Sequence, residues 1–145
     1  VTLQESAMEP TYSVGEKFFV NRALYKISSP KRGDVIVFKT SASDSAALHI
    51  RRVIGLPGET VQVKDGKIYI NGKVYEENGA YQDMTDGGLA NSAITLESGE
   101  YFVLGDNRNN SEDSRFSDIG NISKKYIVGK VWFTVSPKNK IGFIK

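Results

Sequence analysis

The chain has no cysteine and a single histidine, His49. The first absence excludes disulfides, a thiolate nucleophile and thiolate-bound zinc. It is compatible with a reducing cytoplasm and equally with a bacterial exterior lacking disulfide machinery. No run of about 18 consecutive apolar residues is present, so nothing reads as a membrane span, and no signal-peptide pattern opens the sequence. The first residues are Val-Thr-Leu-Gln, without an initiator Met. We expect the sequence to start inside a longer protein whose N-terminal membrane anchor it omits. Neither sign of charge dominates. With 19 Lys+Arg against 17 Asp+Glu the net charge is +2, and no basic run or RNA-binding aromatic motif occurs, so nucleic acid is not an expected partner.

What the chain does have is an ordinary soluble composition, 39% apolar and 25% charged, over 145 residues, enough for one cored domain. Short β-branched and aromatic runs alternate with Gly, Asn, Asp and Pro. Lys17–Arg22, Asp34–Lys39, His49–Ile54, Thr60–Val63, Lys67–Ile70, Lys73–Tyr75, Glu100–Leu104 and Ile127–Val135 are predicted strands. Asp65-Gly66 and Asn71-Gly72 sit between such runs and favour tight hairpin turns, which predicts a three-strand meander. Residues 76–98 are polar and Gly-rich and predict a long excursion from the sheet. Helix signals are thin, with one turn predicted over Ser123–Tyr126. The pattern as a whole predicts an all-β barrel or sandwich.

Four stretches are more specific than a generic β domain requires: ESAMEPTY (5–12), KRGDVIVF (31–38), HIRRVIGLPGE (49–59) and YFVLGDNRNNSEDSR (101–115). Singly, each has a plain structural explanation. Arg32-Gly33-Asp34 is a turn entering a strand, because an apolar run follows it at once. Leu56-Pro57-Gly58 is a turn in which Pro fixes one central angle and Gly supplies the next. The Gly105-Asp106-Asn107-Arg108 stretch carries the Asp and Asn of a calcium loop. Arg108 and Arg115 intrude, however, and the acidic spacing does not fit, so no metal is expected, and no cofactor either.

Together and in this order, the four stretches resemble the bacterial type I signal peptidases. That family carries a Ser-Met-x-Pro-Thr box, an Arg-Gly-Asp strand, a Lys-Arg-x-x-Gly-(Leu/Val)-Pro-Gly-(Asp/Glu) box and a Gly-Asp-Asn-Arg-x-x-Ser-x-Asp-Ser-Arg box. The matches here are Met8-x-Pro10-Thr11, Arg32 to Phe38, Arg52-x-x-Gly55-Leu56-Pro57-Gly58-Glu59, and Gly105 to Arg115. The resemblance implies an all-β fold of twisted antiparallel sheets, coiled and barrel-like. It also implies a single extracytoplasmic domain over 1–145, with a small inserted subdomain at approximately 60–100. It further implies a serine endopeptidase on the outer face of the cytoplasmic membrane, single-pass in full length. Its partners would be the signal peptides of exported preproteins, cut after Ala-x-Ala, with pilin subunits as a further possibility in Gram-positive relatives.

The family works through a Ser/Lys dyad, in which a neutral Lys takes the proton of the attacking Ser. The family Ser immediately precedes the Met of the first box, and here that position is Ala7. The family Lys immediately precedes the Arg of the third box, and here that position is Arg51. Ala7 has no oxygen, and a guanidinium stays protonated at any usable pH. By the same carry-over Ser111 orients the base, and Arg52, Asp106, Arg108, Asp113 and Arg115 brace the loop behind the dyad. Met8 and Ser6 fall at the binding floor. Ser6 is expected on an extended segment, where a one-residue shift turns it away from position 51. His49 would share a strand face with Arg51, but in the family's His-containing relatives the His directly precedes the box Arg. Two explanations stay open: a peptidase inactivated at its dyad, or a non-catalytic relative that assists pilin binding or pilus assembly.

Overall fold

β-branched and aromatic runs become strands at each predicted place, because such side chains pack well on a pleated surface. The computed structural model describes residues 1–43 and 45–144; Asp44 and Lys145, within the expected 1–145 domain, lie outside it. In chain order the strands are β1 (Lys17–Asn21), β2 (Val35–Phe38), β3 (His49–Gly55), β4 (Thr60–Lys64), β5 (Lys67–Ile70) and β6 (Lys73–Val74). They continue as β7 (Ile94–Thr95), β8 (Glu100–Leu104), β9 (Ile122–Ser123), β10 (Ile127–Ser136) and β11 (Gly142–Phe143). The larger sheet has seven strands in the order β1-β10-β2-β3-β8-β9, with β11 added to β10. A second, four-stranded sheet runs β6-β5-β4-β7. Every pairing is antiparallel.

The two Gly dipeptides act as predicted. Asp65 and Gly66 (φ 52° and 76°) close Lys64 onto Lys67, and Asn71 and Gly72 (φ 52° and 81°) close Ile70 onto Lys73. Positive φ at both central residues matches the twist of a hairpin.

The long strand β3 ties the molecule together. Ile50 packs into a core with Met8, Phe18 and Val37. Val53 joins a second core with Phe38, Tyr101 and Val103. Ile54 joins a third, with Val61, Leu96 and Phe102, beneath the small sheet. A strand with side chains buried in three cores has no freedom to slide, so the pair Arg51-Arg52 between Ile50 and Val53 is held in one register.

Several elements differ from expectation. Leu24–Ile27 forms one helical turn (α1), started by the Asn21 side-chain oxygen, which accepts from the Ala23 and Leu24 N–H groups at 3.1 and 3.0 Å. The strands β7, β9 and β11 are short and lacked a sequence signal. Most important for the site, residues Ser6–Met8 are a 3-10 turn, not an extended segment. The predicted turn after Ser123 is present as a 3-10 turn at Lys124–Tyr126. Among the described residues no helix is long and apolar enough to cross a membrane.

Candidate functional site

The 3-10 turn is held from below and from the side. Met8 is fully buried in the core with Leu3, Phe18 and Ile50. Beside it, the loop that leaves β8 grips the turn's carbonyls: Asn107 N–H donates to the Ala7 oxygen at 2.8 Å, and the Asn107 side chain donates to the Ser6 oxygen at 3.2 Å. Gly105 makes the approach possible. A Cβ there would run into Ser111 Oγ and the Ala7 carbonyl oxygen, so only glycine fits.

Arg51, on β3, is 1% exposed and has three partners. Its Nη1 donates to Glu5 Oε2 at 2.7 Å and to the Ile50 oxygen at 2.8 Å, and its Nε donates to the Glu112 oxygen at 2.7 Å. The other Glu5 oxygen lies 3.0 Å from His49 Nδ1. Burial pushes the Glu5 carboxyl up, but hydrogen bonds from His49 and Arg51, with their charges, outweigh it and hold its pKa at about 2. His49 and Arg51 do share a strand face, as the two-residue spacing predicted, and Glu5 is what they share.

Behind this stands a network of buried ion pairs. Arg52 grips Asp106 through two bonds of 2.9 and 2.8 Å. Arg115 grips Asp113 through two bonds of 2.9 Å. Asp113 also accepts from Ser111 Oγ at 2.9 Å and from Gly105 N–H at 3.0 Å. Arg108 pairs with Glu77 from the excursion, stacks on Tyr81 at 4.2 Å, and donates to the Gly105 oxygen at 2.8 Å. Buried charges of this kind persist only when paired and hydrogen-bonded.

These elements enclose a cavity of about 380 Å³ lined by Ser6, Ala7, Arg51, Ser111, Thr85 and Asp86 among others. Ala7, Arg51, Ser111 and Ser6 therefore meet at one place. Ser6 lies on a 3-10 turn and not on the expected extended segment, so the alternation of faces by which it was expected to turn away from position 51 is absent. The Ser111 hydroxyl is directed to Asp113, and the Arg51 bonds go to Glu5 and two carbonyls. Arg108 and Arg115 reach the cavity, while Met8, Arg52, Asp106 and Asp113 sit behind it. Glu5, Glu77, Tyr81 and Asn107 escaped the reading of the sequence. Glu5 had a signal in its closeness to Ala7, whereas pairing Glu77 with Arg108 needs a contact across 31 residues. No group of three or more His, Asp or Glu converges to hold a metal ion among the described residues.

Chemically, the arrangement offers a polar, partly enclosed cavity with a fixed cation and no nucleophile at the Ala7 position. Comparison with known proteins supplies the family. Residues 1–136 match the model described as signal peptidase, peptidase S26. Signal peptidase I T of Bacillus subtilis (strain 168) is 37% identical, over 96% of this chain and 74% of that protein. Signal peptidase IB of Staphylococcus aureus (strain COL) is 35% identical, over 94% of this chain and 76% of its own length. The probable signal peptidase I-2 of Synechocystis is 32% identical over 98% of this chain, which spans 65% of that protein's length. The crystal structure of a signal peptidase I from Enterococcus faecalis V583 aligns with a TM-score of 0.55 at 32% identity, covering 72% of this chain and 98% of that one. With its mostly β, twisted antiparallel fold and these matches, the chain belongs to the signal peptidase family, peptidase S26.

Proposed function

We propose that this chain is the extracytoplasmic domain of a type I signal peptidase, and that it binds the cleavage-site segment of exported preproteins without cutting it. Ala7 occupies the nucleophile position and Arg51 the general-base position. In this proposal the full-length protein is anchored by an N-terminal span at the outer face of the cytoplasmic membrane. Residues from approximately 60 to 100 act as an inserted subdomain, and Thr85 and Asp86 within it line the cavity. One observation carries the proposal: Ala7 and Arg51, from segments far apart in sequence, line the same cavity. Hydrolysis needs an oxygen nucleophile and a neutral base, and the pair supplies neither.

The fit of Arg51 to its surroundings favours a second reading, a natural non-catalytic relative, for which assisting pilin binding or pilus assembly is the role we propose. An arginine with a carboxylate and two carbonyls around it is accommodated, not tolerated. The experiment is titration calorimetry of the chain with a peptide carrying an Ala-x-Ala signal-peptide site and with a pilin N-terminal segment, followed by mass spectrometry of the mixture. Binding with intact peptide is the expected result. Product formation, or no heat with either peptide at high concentration, overturns the proposal. Tighter binding of the pilin segment selects the second reading.

A further inference from the structure

We infer that Glu5 is a third determinant of the site's silence, a positioning residue that holds whatever cation stands at position 51 in its charged form. The inference rests on the proposed assignment of position 51 to the general base.

The geometry is specific. Glu5 Oε2 lies 2.7 Å from Arg51 Nη1, and the Arg51 side chain is 1% exposed while that of Glu5 is 33% exposed. A base at position 51 must be neutral to take a proton from a hydroxyl at position 7. An ammonium loses its proton most readily in apolar surroundings, and an adjacent carboxylate opposes that loss. Burial would help such an amine, but the Glu5 carboxylate and the carbonyls of Ile50 and Glu112, which accept from Arg51 here, favour a charged ammonium over a neutral amine. The other charged groups facing the cavity do not cancel this field. Arg108 is paired with Glu77 and Arg115 with Asp113. His49 shares Glu5, and Asp86 and Glu112 add further negative groups. The two obvious reversions, Ala7→Ser and Arg51→Lys, therefore leave the base charged near neutral pH.

Two proteins test this: Ala7→Ser/Arg51→Lys, and the same pair with Glu5→Gln. Each has the Lys side chain labelled with ¹³C and ¹⁵N, and NMR reads the pKa of the amine at position 51. An opposite charge at this range shifts a pKa by about 1–3 units. Adding Glu5→Gln is therefore expected to lower that amine's pKa by at least about one unit, a tenfold or greater rise in its neutral fraction at pH 7. Equal amine pKa values in the two proteins overturn the inference, whatever the peptide results. Cleavage of an Ala-x-Ala peptide is the second readout. Its pH profile is expected to move toward neutrality by the same amount in the triple variant. A lowered pKa without cleavage or peptide binding in either protein leaves Glu5's role standing and counts against the proposed function instead. Circular dichroism confirms that both proteins are folded. Should Glu5→Gln prevent folding, Glu5→Ser replaces it, with the same pKa comparison deciding.

Discussion

Glu5 is the residue on which the site's electrostatics turn. In the native chain its carboxyl is held at about 2, well below its ordinary 4.5. A depressed carboxyl adds stability above the unfolded-state value and loses it as pH falls through the folded value. Stability should therefore fall between about pH 4.5 and 2. Glu5→Gln should flatten that acid limb in urea unfolding curves recorded across the window. At pH 7 the same substitution removes the carboxylate that, among the described residues, pairs with the buried Arg51, at a cost of about 3 kcal/mol. Gly105 makes an independent prediction. Gly105→Ala drives a methyl group into Ser111 Oγ and the Ala7 carbonyl, and the backbone carbonyl cannot swing away as a side chain could. A loss of about 2 kcal/mol or more is expected on chemical denaturation, with amide NMR shifts centred on residues 6–8 and 105–111. These two residues also show what sequence could disclose. The proposed dyad positions of Ala7 and Arg51 could be assigned because flanking motif residues set the register on both sides. The roles of Glu5 and Gly105 were not, because each depends on an atom brought near by the tertiary fold.

At the scale of elements, the excursion after β6 is bolted to the β8 loop instead of wandering from it. Arg108 and Glu77 form the bolt, Tyr81 covers it, Thr85 N–H reaches Asn109 Oδ1 at 2.9 Å, and Leu89 N–H reaches the Arg115 oxygen at 2.7 Å. Arg108→Lys keeps the charge but loses the forked pair with Glu77 and the bond to the Gly105 oxygen. Faster hydrogen exchange across 77–91, with β3 and β8 unchanged, is the expected outcome. Exchange spreading to the large sheet would mean that the bolt supports the whole fold. The hairpin turns around Gly66 and Gly72 were legible because their requirement, positive φ at two consecutive residues, is local. The 3-10 turn at Ser6–Met8 was not, since its hydrogen-bond partners arrive from residue 107. Strands β7, β9 and β11, of two residues each, are too short to carry a periodic signal; they exist because a longer neighbour offers them an edge.

For the whole molecule the question is what closes the sheet at its ends. The Val1 backbone nitrogen donates to the Phe18 oxygen at 3.0 Å, and β11 lies on β10 with Phe143 against Trp132 and Phe133. Between them, Glu16 is 4% exposed and joins the two ends: one oxygen accepts from Ser13 N–H at 2.9 Å and from Lys140 Nζ at 2.7 Å, and the other has no partner among the described residues. The family match ends at residue 136, so Glu16 lies within it and Lys140 in the tail beyond it. Lys140 is itself 42% exposed, and an exposed lysine in an ordinary surface pair contributes little. Its importance comes from the other partner: without Lys140 a buried carboxylate is left with no cation among the described residues. Lys140→Ala should therefore cost about 2 kcal/mol, lowering Tm by roughly 5–8 °C. Removing both partners separates charge from packing. If the penalty is the stranded charge, Glu16→Gln added to Lys140→Ala should recover much of the lost Tm, because a neutral amide needs no counterion. If the double variant melts no higher than Lys140→Ala alone, the latch acts through packing of the tail on β10 and not through charge.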